Sequence, residues 1–599
     1  MLYRKLTNWT NLAQTKGLLF FVQRLDELTF PYSLDSYKAS TTGIITLVDE
    51  ALELLNDPHI VSGNFGAVKH VLDELGLRLK GNFVAKKVFN FDIDSVLSGN
   101  LEGNITATIR KLKVFRSEMD PETYLGEITH LVISHDQEKP KKSQLELLAR
   151  EFASLLQYLG VSRDHINDAL IKAFYGETEI RDTTSFRGFC KVVYPHSHKF
   201  RVGITASKSI NDVSFDVLRS NGILPYPHIK DDFDEDDKTF VEALECYKNI
   251  SDGELLICHV SAPDANAAAT MATKRITEAI SFQKLFHHKL EVNIASTAVT
   301  EQSCCAEDIR TVPAFNNHMH FIRDMKALKA ISAAKRCHEE LSLDIGPDAR
   351  KFANIVNMHG VSLSSTSNDI QIVNLWTCIE TLVPSEQTAS KISNAVKRVS
   401  PILALGYYKR LTITLLTDLL RRDRYCFSAI LKKSKIDNSL PLYEKFMQLL
   451  REEENDADLR DLLTKCRDFE LLRYRITSIV ELLRDPEKAR ARLEQHERLV
   501  TWQFYRIYRC RNGIVHAGDS PNHTKYLVES AHDYFDQALN FCVEVSSWKG
   551  GFNTFESCFD FATSEYQRYM RNLKSDRAAI VWRIPKQRGR AFIFQDSLK

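Results

Sequence analysis

Hydrophobic positions in the second half of this chain recur mostly at helical spacing, three and four residues apart. The longest such pattern starts near Pro486, and its last members step by four, three and four residues through Val500, Phe504, Ile507 and Arg511. These residues share one face of a helix, so an apolar stripe ends on a permanently charged guanidinium. Gly513 then weakens the helix, and Gly518 is a natural end for it.

A second amphipathic helix is predicted directly after the first. Ser520-Pro521 suits the N-cap and the first position of a helix. The apolar residues that then repeat at helical spacing are Ala531, Tyr534, Phe535, Ala538, Phe541, Cys542 and Val545. His516 therefore lies at a corner between two helices, free to turn back towards Arg511.

This corner resembles the HEPN superfamily, whose members are mostly ribonucleases with an arginine, a polar residue and, a few positions later, a histidine. Arg511, Asn512 and His516 match these three positions, and the resemblance covers roughly residues 367–548. Arg490 and His496 also fit the loose spacing, but alanine follows that arginine and the pair lies within an unbroken helical pattern. The context of Arg511 and His516 is the more specific match.

The resemblance implies a metal-independent endoribonuclease that leaves 2′,3′-cyclic phosphate and 5′-hydroxyl ends. A histidine can serve as acid or base near neutral pH, and an arginine offers two parallel donors to phosphate oxygens. Asn512 could hold the phosphate or fix the imidazole. The resemblance also implies a homodimer, or a higher homo-oligomer, in which two motifs face each other across one cleft. No cofactor and no metal are predicted for this chemistry.

Three functions remain open at this point. A helical domain after a large, unrelated N-terminal part resembles HEPN effectors of bacterial antiphage abortive infection, which cut host RNA, often tRNA, after a phage-derived trigger. A HEPN toxin controlled by a separate antitoxin is the first alternative. In the second alternative the protein is a non-catalytic RNA-binding or scaffold protein, in which Arg511 and His516 only cap and join two helices.

Glu380 is a candidate supporting residue. It belongs to a predicted helix over 370–383 and projects close to its apolar face. We expect it either to pair with Arg511 inside the bundle or to be an ordinary, partly exposed carboxylate.

A basic stretch is the candidate RNA-binding surface. Its residues are Lys397, Arg398, Lys409, Arg410, Arg421, Arg422 and Arg424. Tyr407, Tyr408 and Tyr425 are interleaved with them, which suits a phosphate backbone and stacked, unpaired bases. Solvation of ordinary helices explains the same charges equally well.

The N-terminal half has mixed signals. Helices are predicted over 44–55, 65–79, 143–159, 266–286 and 322–343, and strands over 17–25, 128–134, 191–205, 254–262 and 289–299. The run from strand to long helix to strand predicts a crossover unit. The expected organisation is therefore multidomain: an α+β segment over 1–140, an α/β domain over 141–345 that could be regulatory, an all-α HEPN-like bundle over 365–549, and a tail over 550–599 with a basic hairpin.

Composition limits the partners and the location. The 599 residues have a net charge of +1, so any contact with RNA must come from local patches. The twelve cysteines include no C-x-x-C pair, which favours reduced thiols in a cytoplasmic protein. There is no signal peptide, no membrane-spanning run and no glycine-rich phosphate loop, so no membrane partner is expected.

Two pairs of histidines and one acidic run are the candidate metal ligands in the sequence. His196-Ser197-His198 and His318-Met319-His320 could each place two imidazoles on one face of a strand. Neither pair has a cysteine or carboxylate nearby at ligand spacing along the sequence, so no zinc site is predicted. The acidic run over 231–237 is interpreted as a solvated loop.

Overall fold

The structure is a computed structural model. It describes residues 3–34, 37, 42–57, 65–89, 104–228, 237–250, 253–305, 308–322, 325–341, 347–386, 390–548, 551–574 and 580–582. Nearly all of the predicted acidic loop and of the predicted C-terminal hairpin lies outside these residues. The chain divides into two compact units, one made of residues 1–150 together with 317–599 and the other of residues 151–316.

Most of the described residues are helical. In chain order the α-helices are α1 Lys16–Thr29, α2 Ile44–Asn56, α3 Phe65–Lys80, α4 Phe83–Val88, α5 Ile105–Ser117, α6 Pro121–Ile133, α7 Lys142–Tyr158, α8 Arg163–Tyr175, α9 Thr184–Val192, α10 Phe215–Ser220, α11 Lys238–Ile250, α12 Ala265–Lys284, α13 Ala327–Glu340, α14 Pro347–Ser364, α15 Asn368–Leu382, α16 Lys391–Lys433, α17 Leu442–Arg451, α18 Asp456–Lys465, α19 Glu470–Arg484, α20 Pro486–Asn512, α21 Thr524–Ser546 and α22 Phe555–Asn572.

The smaller unit is built on a five-stranded antiparallel sheet. Its strands are β1 His198–Ala206, β2 Ile223–Pro225, β3 Glu254–Ala262, β4 Thr297–Gln302 and β5 Asp308–Pro313, and they lie in the order β2-β3-β1-β4-β5. Both β3 and β4 pair antiparallel with β1. Strands β3 and β4 are therefore parallel to each other, and α12 connects them across the sheet. This is the crossover that the sequence predicted.

The two faces of this sheet bury different side chains because successive residues of a strand alternate. Val202 and its cross-strand partner Cys258 are fully buried in the core cluster on the α12 side. Leu255 and Ile257 lie on the opposite face, in a cluster with Leu244 of α11. The α12 helix begins at Asp264, whose carboxylate accepts a hydrogen bond from the Ala267 amide at 2.9 Å.

The larger unit contains a four-helix bundle of α15, α16, α20 and α21, which all contact one another. Its core includes Trp376 and Tyr408, which are 0% and 1% exposed. The Tyr408 hydroxyl donates to the Ala489 carbonyl at 2.6 Å. The long α16 is interrupted at Asp423, whose φ of −159° and ψ of 92° are not helical and whose carboxylate caps the Cys426 amide at 2.8 Å. The mixed N-terminal part and the helical C-terminal part agree with the predicted fold class.

The N-terminal helices belong to the same compact unit as this bundle. Helix α1 packs on α19, and α3 packs on α20. The Gln23 side chain of α1 accepts a hydrogen bond from the Leu471 amide at 3.0 Å, so it supplies a cap for the first turn of α19. The predicted boundaries at 140, 345, 365 and 550 stay predictions, but the described contacts join residues 1–150 to the C-terminal helices.

Two predicted strands are wrong. Residues 17–25 belong to α1, where every residue from Gly17 to Thr29 is buried. A helix that is buried all round shows no 3.6-residue period, so its sequence cannot be told from a buried strand. Residues 128–134 belong mostly to α6, which Asp120 caps through the Thr123 amide and which Pro121 starts. In the sequence, Asp120 and Pro121 indicate the start of a helix, whereas the apolar run over 128–134 favours a strand. The helix start is the correct signal.

Other predicted elements are shifted. The strand predicted over 191–205 begins only at His198, after helix α9. The strand predicted over 289–299 begins at Thr297, because the residues before it form a single bridge between Ala206 and Ile294. The helices predicted over 44–55, 65–79 and 266–286 are confirmed to within a few residues. Among the described residues, every helix is too short or too polar to cross a membrane.

Gly203 in the central strand β1 tests the packing of the smaller unit. A Cβ at this position would overlap the Leu244 side chain of α11 and would lie 3.5 Å from Ile257 Cδ1. We expect Gly203→Ala to lower stability by about 1–3 kcal/mol through overpacking. The measurement is the denaturant midpoint of this unit.

The matched control for Gly203→Ala is Gly188→Ala in helix α9. Nothing lies within 4 Å of a Cβ built at Gly188, which is exposed. Here alanine should raise helix stability by about 0.5–1 kcal/mol. Equal midpoints for the two variants would show that β1 and α11 are not packed as described.

Candidate active site

The predicted motif helix is confirmed as α20. Val500, Phe504 and Ile507 are at most 1% exposed, and the Phe504 ring stacks on Tyr534 of α21 with centroids 5.3 Å apart. The stripe thus faces the bundle core, and its next member, Arg511, lies half-buried on the last turn. The predicted apolar positions of α21 are also buried.

The end of α20 is a π-helical turn over Gly513–Ala517. Gly518 follows with φ of +67°, and its amide donates to the Gly513 carbonyl, which closes the turn. Glycine is required there because other residues rarely adopt this left-handed conformation. Single π turns inside helices are rare and are found frequently at functional sites.

This turn changes the relation between Arg511 and His516, which are five residues apart. In a continuous α-helix such residues are rotated by about 140° from each other, at 3.6 residues per turn. A π turn holds more residues per turn, so the rotation is smaller and His516 comes nearer to the side of Arg511. The whole stretch from Val515 to Asp519 is exposed to solvent.

Arg511 has unused hydrogen-bonding capacity. Its Nη1 donates to the Asn512 Oδ1 at 3.0 Å. Its Nε is buried and finds no hydrogen-bond partner among the described residues. A guanidinium has five N–H donors in a planar fork, so most of them stay available for an anion. Asn512 thus orients the guanidinium. This role differs from the two that the sequence suggested, which were to hold the phosphate or to fix the imidazole.

His516 is exposed at the middle of the π turn and makes no hydrogen bond with the described residues. Both ring nitrogens are therefore accessible. An open imidazole and, five residues before it on the same helix end, a guanidinium with free donors are groups that can bind a phosphate and move a proton on it.

A carboxylate that the sequence did not single out lies beside the turn. Asp369, in the first turn of α15, accepts a hydrogen bond from the Ser520 hydroxyl at 2.5 Å. Ser520 was predicted as the N-cap of the second helix, but α21 begins at Thr524. Its hydroxyl joins α15 to the loop after the π turn instead. Only the three-dimensional path of this loop reveals the contact.

Glu380 is placed differently from the hypothesis of a pair with Arg511. Its carboxylate forms an ion pair with Lys391 Nζ at 3.2 Å, and Arg511 bonds to Asn512 instead. Glu380 lies three turns along α15 from Asp369, whereas the π turn is next to the start of that helix. The alternative interpretation, a partly exposed carboxylate, describes it correctly.

Most of the predicted RNA-binding residues are already paired. Four of them form ion pairs with carboxylates: Lys397 with Glu386, Arg398 with Glu386 and Asp560, Arg410 with Asp533, and Arg422 with Asp468. Lys409 is half-buried, while Arg421 and Arg424 are exposed. Tyr407 and Tyr408 are core residues at 4% and 1% exposure, so stacking on bases is excluded for them in this structure. Tyr425, at 89% exposure, remains accessible beside Arg421 and Arg424.

The second Arg-His pair of α20 is split between the core and the surface. His496 stacks on Tyr407 with ring centroids 4.1 Å apart. Burial, with nearby Arg410 and Arg492, lowers the pKa of His496 to about 3, so the ring is neutral at physiological pH. Arg490 forms an exposed ion pair with Glu494 at 2.9 Å. Arg490 and His496 therefore do not form one site in this structure.

Two groups of side chains have the geometry of a metal site. Histidines 196 and 198 lie near Cys305 in the smaller unit, and His359, His532 and Asp536 lie together in the larger unit. In each group the ligand atoms are within 4.8 Å of one another. His318 lies in a short 3-10 helix over His318–His320, not on a strand. Its Nδ1 is 2.8 Å from the Glu529 carboxylate of α21.

The N-terminal helices hold α20 through buried ion pairs. Arg506 is 3% exposed and contacts Glu50 of α2 at 2.9 Å and Glu74 of α3 at 2.8 Å. Arg509 also contacts Glu50. Burial of the Glu50 carboxyl raises its pKa, but the charges of Arg506 and Arg509 outweigh this and lower the pKa to about 2.

Acidic groups also lie close to the exposed end of the motif. Burial raises the pKa of the Glu53 carboxyl of α2, and the negative charges of Asp519 and Glu50 raise it further. Asp519 follows the π turn directly, so α2 brings negative charge next to the loop that contains His516. Like charges at this distance weaken the binding of a further anion.

Replacing Glu50 should reveal the contribution of this ion cluster to stability. Glu50→Gln removes the carboxylate that Arg506 and Arg509 share and leaves Glu74 as the ion-pair partner of Arg506, and we expect a loss of about 3 kcal/mol. The pKa of Glu50 falls on folding from 4.5 to about 2, so the ionised carboxylate stabilises the fold above pH 4.5 and this contribution is lost as the pH falls to about 2. Urea unfolding of both proteins across this pH range measures it.

The difference between wild type and Glu50→Gln should shrink as the pH is lowered. Glu494→Gln, which breaks an exposed pair with Arg490, is the control and should cost less than about 1 kcal/mol at any pH. A Glu50→Gln difference that does not depend on pH would contradict the ion-pair interpretation.

The site is therefore an exposed histidine on a π turn and a half-buried arginine on the last turn of α20, next to α15. The whole chain was compared with protein-family models, with curated proteins and with solved structures, and none of them matches.

Proposed function

We propose that this protein is a metal-independent endoribonuclease that cleaves RNA with Arg511 and His516. The observation that supports the proposal is the π turn, which leaves an imidazole with no internal partner and a guanidinium with unused donors on one exposed helix end. A purely structural pair would be expected to bond to other parts of the fold. The HEPN resemblance of Arg511, Asn512 and His516 points to the same chemistry.

In the proposed reaction RNA supplies its own nucleophile. An imidazole removes the proton of the ribose 2′-hydroxyl, whose oxygen attacks the adjacent phosphorus. The bond from phosphorus to the 5′-oxygen breaks, and an imidazolium protonates that oxygen. The products are a 2′,3′-cyclic phosphate and a 5′-hydroxyl end. The Arg511 guanidinium binds the non-bridging oxygens, where negative charge increases in the transition state.

This reaction uses one acid and one base, and a single motif offers one accessible histidine. His523, seven residues later, is unsuitable as an acid because burial and the nearby Arg506 lower its pKa to about 4. We therefore propose a homodimer in which His516 of each subunit faces the same phosphodiester. The exposure of the residues from Val515 to Asp519 is compatible with such an arrangement.

We further propose that the protein acts in antiphage defence by abortive infection, with the N-terminal helices as a restraint. Helix α2 is fixed to the motif helix through Glu50, and its Glu53 lies near Asp519. In this arrangement negative charge beside His516 disfavours phosphate binding. A phage-derived trigger that displaces α2 would remove the charge that Glu53 contributes.

Substitution of the motif tests the catalytic proposal. We expect Arg511→Ala and His516→Ala each to reduce cleavage of host RNA by at least about 100-fold, in line with losses for single acid–base groups. The measurement is sequencing of RNA 5′-hydroxyl ends in cells that express each variant, with and without phage infection.

The matched control is Arg490→Ala, which removes an exposed arginine from the same helix. It should leave cleavage and phage protection unchanged. If Arg511→Ala and His516→Ala leave phage protection intact and no 5′-hydroxyl ends accumulate in wild type, the protein is a non-catalytic RNA-binding or scaffold protein instead. If cells that express the protein need a neighbouring small gene for survival, the toxin alternative is favoured.

Glu53→Gln tests the restraint. Glu53 is only partly buried on the surface of α2, so the substitution should have little effect on folding, but it removes a negative charge beside Asp519. We expect a few-fold tighter binding of RNA and faster cleavage at low salt, with the gain shrinking as salt screens the charge. Binding is measured by fluorescence anisotropy with a labelled RNA and His516→Ala protein, to prevent cleavage.

Glu487→Gln is the control for Glu53→Gln, since Glu487 lies at the opposite end of α20. It should change neither affinity nor salt dependence. Unchanged RNA affinity in Glu53→Gln at every salt concentration would show that α2 does not restrain the site electrostatically.

A further inference from the structure

Two histidines and two cysteines meet at one corner of the sheet in the smaller unit. His198 is the first residue of β1, and His196 lies two residues before it. Strand β4 pairs antiparallel with β1, with Gln302 opposite Phe200. Cys304 and Cys305 follow β4 directly, so the register of the sheet brings them level with His198.

The ligand atoms are close enough to bind a single ion. His198 Nδ1 lies 3.4 Å from Cys304 Sγ and 3.3 Å from Cys305 Sγ, and the two sulfurs are 3.5 Å apart. His196, His198 and Cys305 each offer a ligand atom within 4.8 Å of the others. In a tetrahedral zinc site with the usual bond lengths, nitrogen and sulfur ligands are about 3.6 Å apart and two sulfurs about 3.8 Å.

The surroundings suit thiolate ligands. The Gln302 side-chain amide lies 3.1 Å from Cys305 Sγ, where its N–H can donate to a sulfur that has lost its proton. A second layer of such donors is typical of metal sites. His196, Cys304 and Cys305 are exposed, so an ion can enter without unfolding the sheet.

We propose that His196, His198, Cys304 and Cys305 form a structural zinc site that fastens the loop after β4 to the start of β1. Two thiolates and two imidazoles are a common ligand set of closed, four-coordinate zinc sites. Binding releases the thiol protons and neutralises the ion with two negative charges. The Ser303 amide donates to the Lys199 carbonyl at 2.9 Å. The bound ion would add one more link between β1 and the residues that follow β4.

This site is independent of the proposed ribonuclease chemistry, which uses no metal. The sequence alone did not predict it, because the cysteines are more than a hundred residues from the histidines. The group of His359, His532 and Asp536 is a competing location for an ion in the larger unit. It has no thiolate, so an ion bound there would not show charge-transfer absorption from sulfur. This absorption distinguishes the two sites.

The experiment uses the untagged full-length protein, purified under reducing conditions and reconstituted with zinc, followed by desalting. Elemental analysis should find about one zinc per chain in wild type and in Cys246→Ser, an exposed cysteine of the same unit. The double variant Cys304→Ser/Cys305→Ser and the single variant His196→Ala should lose it. His359→Ala/Asp536→Asn should keep it. Adding a chelator should lower the melting temperature of wild type and leave the double variant unchanged.

Cobalt substitution of wild type gives a readout that does not depend on any variant. Co²⁺ bound by two thiolates in a tetrahedron produces intense charge-transfer absorption from sulfur, together with visible bands, and zinc displaces it. Three results would overturn the proposal. The first is substoichiometric zinc in reconstituted wild type, and the second is zinc that is lost only from His359→Ala/Asp536→Asn. The third is a mass that shows a disulfide between Cys304 and Cys305, in a protein that still binds no zinc once this disulfide is reduced.

Discussion

The buried charge of Arg506 determines how the candidate site is held. Its guanidinium is almost completely inside the protein, and two glutamates from different N-terminal helices surround it. A buried charge is tolerated only when it is paired, so the position of α20 and the positions of α2 and α3 depend on one another. Arg509 and Arg511 follow on the same helix, and their placement depends on the same contact. The last turns of α20 are thus fixed from the N-terminal side as well as by the apolar stripe.

A second buried ion-pair network fixes α1 and α7 against α19. Arg475 of α19 binds Glu27 of α1 at 2.8 Å, and Arg24 of α1 binds Glu27 at 2.6 Å and Glu146 of α7 at 2.8 Å. The charges of Arg475 and Arg24 outweigh the burial of the Glu27 carboxyl and lower its pKa. Such a network contributes more to specificity than to stability, because an ion pair matched in this way cannot be made by a displaced helix. The N-terminal helices are therefore bound to the C-terminal helices in one defined arrangement.

These contacts also show what the sequence could and could not predict. Helices α20 and α21 were predictable, because their apolar residues recur at helical spacing, although α21 begins at Thr524 and not at the predicted cap of Ser520-Pro521. Helix α1 was not, because its buried residues face every direction. Glu50 and Arg506 are 456 positions apart, and His198 and Cys304 are 106 apart, so neither contact leaves a local pattern. Arg511 and His516 could be found from their order in the sequence, whereas Asp369 and Glu53 required the path of the chain.

The distribution of charge favours a site with few but well-placed donors. The basic residues of α16 that could have formed a broad RNA-binding surface are mostly bound to carboxylates, and the chain as a whole has a net charge of +1. Long-range attraction of RNA would therefore be weak, and the proposed binding would depend on short-range bonds to a single phosphate. In the proposed dimer, Arg511 and His516 of one subunit would make such bonds, and the second copy would double them. Dimerisation would then provide both the second proton-transfer group and the affinity that the overall charge does not supply.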